Sequence, residues 1–284
     1  MFDRLSRSWT LVKASAAVLQ QDKELLVFPL ISSIASILVV ACFALPLLGL
    51  GALDGLSGGR HGVISTGAYV VAFLFYLSQY FVIFFFNAAL VSAAMMRLDG
   101  GSPTVSDGLR IASSKAVNIL GYAAIAATVG LVLRAIQERV GFIGKIITGI
   151  IGAGWTMATY LVVPVLVARD VGPIDAVKES AMLLKKTWGE NVIGQAGLGV
   201  AFVLIQLAVI AAGITLTATT AYLTQNVTLT VVVGIIAVIA IIVTALIQSA
   251  LSGIYAAALY RYASDNSTTQ GFDPAAMRLA FTAK

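Results

Sequence analysis

Residues 227–260 read VTLTVVVGIIAVIAIIVTALIQSALSGIYAAALY, and no charged side chain stands between Asn226 and Arg261. As a helix rising 1.5 Å per residue this run would be about 50 Å long, well over the roughly 30 Å of hydrocarbon in a bilayer. A helix of that kind crosses the membrane and either tilts or projects past the headgroups. The rest of the chain has the same character. Of its 284 residues 59% are hydrophobic and 11% charged, and the mean hydropathy is +0.96, outside the range of soluble globular proteins.

Working outward, five more apolar runs precede this one: Leu25 to Leu53, Gly67 to Met96, Ala116 to Leu133, Ile146 to Ala168, and Val192 to Thr219. Each is long enough to span as a helix. The first exceeds the roughly 7–15 apolar residues of a cleaved signal peptide. Six spans consume nearly all of the chain and leave no room for a separate catalytic domain.

Basic residues set the orientation. Arg4, Arg7, Lys13 and Lys23 precede the first span, Arg97, Arg110 and Lys115 follow the second, Arg169, Lys178, Lys185 and Lys186 follow the fourth, and Arg261, Arg278 and Lys284 follow the sixth. The alternate loops carry only Arg60, Arg134, Arg139 and Lys145. The positive-inside bias therefore places both termini in the cytoplasm of a plasma (inner) membrane. Arg134, Arg139 and Lys145 run against the trend, and the four-residue spacing of Arg134 and Glu138 predicts a helical ion pair that softens the conflict.

Three segments on the basic side alternate apolar and polar residues at helical spacing. In residues 2–19 Phe2, Leu5, Trp9, Val12, Ala16 and Leu19 share a face, with Leu11 and Val18 on the other side; Ile174, Val177, Ala181, Leu184 and Trp188 repeat the spacing, and Val105, Leu109, Ala112 and Ala116 form a weaker copy. Ser102-Pro103 and Gly172-Pro173 are start signals for the later two. Two placements fit such helices. They can lie in the interface, with Arg4, Arg7, Trp9, Lys13, Lys185, Lys186 and Trp188 contacting lipid, or they can cap the bundle. Each copy precedes two spans. The predicted architecture is an all-α, polytopic bundle of six transmembrane helices in three parallel units, about 1–97, 98–169 and 170–262, each an amphipathic cytoplasmic helix plus a transmembrane hairpin. Residues 1–262 form a single membrane domain, and 263–284 a cytoplasmic tail.

The stretches FDRLSRSWTLVKAS (2–15), LQQDKELLVFPL (19–30), NAALVSAAMMRLDGGSPTVSDGLRIA (87–112), KKTWGENVIG (185–194) and GFDPAAMRLAF (271–281) resemble a prokaryotic family of six-helix integral membrane proteins of unknown function. The layout is similar, more loosely, to the membrane domain of some glycerophosphodiester phosphodiesterases, without the phosphodiesterase barrel. The resemblance implies the fold and brings no catalytic residue with it.

Chemistry is sparse. No acidic residue stands mid-span, which disfavours a proton-coupled mechanism. His61 is the only histidine and Cys42 the only cysteine, so a histidine-rich metal site and a disulfide within the chain are ruled out. No enzymatic activity, cofactor, metal or nucleic-acid partner is expected. The intramembrane polar candidates are Gln79, Asn87, Gln206 and Gln248, which must find partners across helices or line a polar path. Phe73, Tyr76, Tyr80, Phe84 and Asn87 share one helical face, expected as packing. Gly149, Gly152, Gly154, Gly194, Gly197 and Gly199 predict close helix approach. Two function classes stay open: a non-enzymatic component binding membrane lipid, a protein partner or a second copy at the cytoplasmic face, and a transporter or channel for a small or lipid-like solute through the repeat interface.

Overall fold

The computed structural model describes residues 15–49, 66–188 and 192–265, and all regular structure among them is helical. A helical segment 15–21 and a 3-10 turn at Lys23–Leu26 lead into α1 (Val27–Gly49). Then come α2 (Thr66–Leu98), α3 (Val105–Ser114), α4 (Ala116–Arg139), α5 (Phe142–Ala158), α6 (Val162–Ala168), α7 (Pro173–Trp188), α8 (Val192–Thr224) and α9 (Val227–Asp265). Six stretches, with α5 and α6 together supplying the fourth, are long and apolar enough to cross a bilayer.

α2 is the axis of the bundle and packs against α1, α3, α4, α6 and α9, whereas α8 packs chiefly on α9. Burial is concentrated at one end of the spans. Ala88 to Val91, Ala93 and Ala94 of α2, Ile119 to Ala127 on one face of α4, Leu161 to Leu166 around α6, and Ile254 to Tyr260 of α9 are buried. Runs of alanine in α2 and α9 let these two backbones come together here. At the opposite end Val231, Ile235, Ile239 and Ile242 of α9 remain exposed on the protein surface, as apolar residues facing hydrocarbon can. The molecule thus has a packed end and an open end.

The small residues singled out in the fourth span play no part in this. A Cβ at Gly149 or Gly154 would meet nothing within 4 Å, and one at Gly152 only the Leu133 side chain at 3.8 Å. Their chemistry permits close approach without any helix taking it up; Gly194, Gly197 and Gly199 lie outside the described side chains. Among the described glycines the one held tightest against the backbone of another helix is Gly108 in α3, where a Cβ would stand 2.6 Å from the Ala89 carbonyl oxygen and 2.7 Å from the Phe28 ring.

α3 begins at Thr104, not at Ser102. The Thr104 hydroxyl accepts from the Asp107 amide at 3.2 Å and the Asp107 carboxylate accepts from the Thr104 amide at 3.1 Å, a closed capping box. These bonds from Thr104, with the Arg110 guanidinium beside it, hold the Asp107 carboxyl below its ordinary range. α7 begins at Pro173 after Gly172, as the start signal predicts.

The fourth span is broken where the sequence offered one continuous run. Pro164 has no N–H for the Tyr160 carbonyl, and the helix stops at Ala158 and resumes at Val162. Ser180 of α7, fully buried, closes the gap. Its hydroxyl donates to the Ala158 carbonyl at 2.7 Å and accepts from the Leu161 amide at 3.0 Å.

Candidate functional site

The amphipathic helices carry most of the predicted contact residues. Arg4, Arg7, Trp9 and Lys13 lie outside the described residues. Lys186 and Trp188 belong to α7, whose described side chains end at Lys185. Within 15–21, Ser15, Val18 and Leu19 are buried, so Val18, expected off the apolar face, is part of the core. α7 turns Ala176, Ser180 and Leu184 into the bundle. Ile174, expected on that face, is instead 61% exposed. The inward stripe runs in steps of four, selected by Ser180 and the broken span rather than by hydrophobicity alone. Ile174, Lys178, Met182 and Lys185 consequently form an exposed stripe on the outer face of α7.

Ion pairs tie the packed end. Lys115, just before α4, meets Asp170 at 3.0 Å, Arg169 meets Glu179 of α7 at 2.5 Å, and Arg261 of α9 pairs with Asp99 beyond α2. Arg169 also donates to the Tyr260 hydroxyl at 3.2 Å, and Asn118 donates to the Val171 carbonyl at 3.2 Å. A cavity of about 310 Å³ lies among Asp99, Arg169, Tyr260 and Arg261. At the other end Arg134 pairs with Glu138 at 3.0 Å, as the spacing predicts, and donates to the Tyr76 hydroxyl at 2.7 Å.

The four intramembrane amides are not brought together. Gln206 of α8 donates to the Ile241 carbonyl of α9 at 3.4 Å, which accounts for its place in the hairpin. Its Oε1, the Oε1 of Gln79 and the Nε2 of Gln248 are buried with no partner among the described residues. The interhelical bonding expected of these side chains is therefore incomplete. Gln248→Leu removes an amide nitrogen that is already unsatisfied, so it should stabilise the protein by about 1 kcal/mol. Reversible unfolding in mixed micelles measures this, and a loss of stability would show that Gln248 has a partner.

Asn87 is different. It lines a cavity of about 360 Å³ together with Ser32, Phe84, Tyr122, Ser249, Ser252 and Gly253, between α1, α2, α4, α5, α6 and α9. The aromatic stripe leads to this cavity. Tyr76 stacks on Tyr80 at 6.3 Å, Tyr80 on Phe84 at 5.6 Å, and Phe84 on Tyr122 of α4 at 4.5 Å. As expected, the stripe is packing; its last members, Phe84 and Asn87, form a cavity wall. Ser32, Ser249 and Ser252 are the residues that sequence reasoning missed, since isolated serines in apolar runs carry no spacing signal. Among the described residues no group of three or more histidine, cysteine or acidic side chains could hold a metal.

These features define a class: an all-α, multi-pass membrane protein with ion pairs at the ends of its spans and an uncharged cavity among them. Residues 66–272 match a family of unknown function (DUF6159), and the chain belongs to that family. None of the curated proteins matches it. Membership supports the resemblance to an uncharacterised family; the looser likeness to the phosphodiesterase membrane domain gains no support from it.

Proposed function

We propose that this protein is a non-enzymatic component of the plasma membrane that binds anionic lipid at its cytoplasmic face. The packed end is then cytoplasmic, as the positive-inside bias predicts, and both termini lie on that side. The observation that carries the reading is the outer stripe of α7. Ile174 and Met182 are 61% and 63% exposed, and Lys178 and Lys185 stand between and beyond them on the same face. Apolar side chains alternating with lysines suit a surface that sinks one and presents the other to headgroups. Lys178 pairs with Asp175 at 3.1 Å, but both are 68% exposed, and such pairs contribute little. α7 thus combines the two placements the sequence left open, capping with one face and meeting the interface with the other.

Two measurements test this. In nanodiscs of mixed phosphatidylglycerol and phosphatidylcholine, the lipid retained on extraction should be enriched in phosphatidylglycerol. Lys178→Gln and Lys185→Gln should each weaken that preference by about 1 kcal/mol, about fivefold, and less at high salt. Enrichment that ignores both substitutions would sink the proposal. Separately, reporters fused near Asn226 should read as external, and reporters near Ser106, Lys185 and Lys284 as cytoplasmic; a cytoplasmic signal at Asn226 would remove the six-span topology.

A second reading, passage of a small or lipid-like solute, is favoured by one observation. The 360 Å³ cavity and the 310 Å³ cavity succeed each other along α2, α6 and α9. Fully buried side chains, among them Val91, Leu166 and Leu259, separate them. A flux assay in liposomes decides whether that layer ever opens.

A further inference from the structure

We infer that the cavity around Asn87 is a binding site for a neutral, single-chain amphiphile whose head carries hydroxyl groups. This goes beyond the surface contact of α7, because the site lies among the spans, open to the surface at Ile83, Thr156 and Ser249, and is recognised by different chemistry. Three of its polar side chains, Ser32 and Asn87, half-buried, and Ser249, exposed, line a common space and have no hydrogen-bond partner among the described residues. Amides and hydroxyls held in an apolar environment need partners. A ligand offering both donors and acceptors satisfies all three, since an amide donates and accepts and a hydroxyl does either.

The absence of charge sets the ligand's class. Among the described residues no aspartate, glutamate, lysine or arginine lines the cavity, so a phosphate or carboxylate head would be desolvated there without a counter-ion. A head bearing only hydroxyls carries no such penalty. The walls supply the rest: Phe84 and Tyr122 make a stacked aromatic side against which an apolar chain can lie. At about 360 Å³ the site is at the small end of ligand pockets, which run from about 300 to 1,000 Å³. That suits one chain rather than two.

Gly253 keeps the site open. A Cβ there would stand 2.5 Å from Leu90 Cδ2 and 3.4 Å from Asn87 Oδ1. A larger residue there would have to displace the Leu90 side chain, while the Asn87 amide would be in ordinary contact. The glycine thus has a steric reason tied to the cavity itself.

The test uses the full chain in nanodiscs and three probes with the same diazirine-bearing tail: a monoacylglycerol, a lysophosphatidic acid, and the alkane without a head. The monoacylglycerol should label residues 83–90 saturably, and unlabelled monoacylglycerol should displace it. Asn87→Leu should lower its labelling about fivefold, the effect of one lost hydrogen bond, with alkane labelling unchanged. Ser249→Ala should act in the same direction, and it decides the matter if Asn87→Leu does not fold. Ser33→Ala, whose hydroxyl is already bonded to the Pro29 carbonyl, serves as the control. Non-saturable labelling, equal labelling by the headless alkane, or equal labelling by the phosphate-headed probe would each overturn the assignment.

Discussion

Gly108→Ala should destabilise the protein by about 2 kcal/mol, although a helical glycine-to-alanine change would ordinarily help. Helix propensity favours alanine by about 1 kcal/mol. Against it stands a Cβ placed 2.6 Å from the Ala89 carbonyl oxygen, with Phe28 closing the other side at 2.7 Å. Overpacking of this kind costs about 3 kcal/mol when the neighbour is backbone and cannot rotate aside, so the clash wins. α3 has to move off α2, and Phe28 of α1 with it. Gly149→Ala and Gly154→Ala, where nothing lies within 4 Å, should be neutral or slightly stabilising. Unfolding of all three variants in one detergent system makes the comparison; a Gly108→Ala protein as stable as the other two would show that α3 does not sit on α2.

Ser180→Ala should cost about 3 kcal/mol, an unusually large loss for one hydroxyl. The Leu161 amide is fully buried and its one partner among the described residues is the Ser180 oxygen at 3.0 Å, while the same hydroxyl serves the Ala158 carbonyl at 2.7 Å. Removing it leaves two backbone groups without partners, at about 1–3 kcal/mol each, in a place where water is scarce. Hydrogen exchange at the Leu161 amide should quicken well beyond the change at neighbouring α6 amides. Slow exchange at Leu161 with stability unaltered would mean that the broken span satisfies itself and that α7 docks for other reasons.

Both predictions concern contacts that no spacing rule announces. Gly108 is one of 26 glycines, and the sequence drew attention to Gly149, Gly152 and Gly154, which stand in a cluster. Clustering shows where close approach is allowed, and only the neighbouring helix shows where it happens. Ser180 was hidden for a related reason. A polar residue in an amphipathic helix reads as solvent-facing unless something inside the bundle needs a donor and an acceptor, and that need arises at Pro164, sixteen positions earlier in the chain. The candidate site divides the same way. Asn87 stood out as an amide in an apolar run, whereas Ser32, Ser249 and Ser252 come from two other helices and acquire meaning only beside it.

By itself the sequence determined the class, the six spans, the helical pairing of Arg134 with Glu138 and the start of α7 at Pro173. All of these rest on local terms: the length of an apolar run against bilayer thickness, charge near a membrane surface, and side chains three or four residues apart. Only the tertiary structure decided that the bundle packs at one end and that α7 turns Ser180 inward with Ile174 outward. It alone placed an uncharged cavity at Asn87. In hydrocarbon nearly every face of such a helix is equally apolar, so hydrophobicity cannot choose which face meets a neighbour. The choice falls to shape and to the few backbone and side-chain groups that must be hydrogen-bonded, and these are satisfied between helices far apart in the chain.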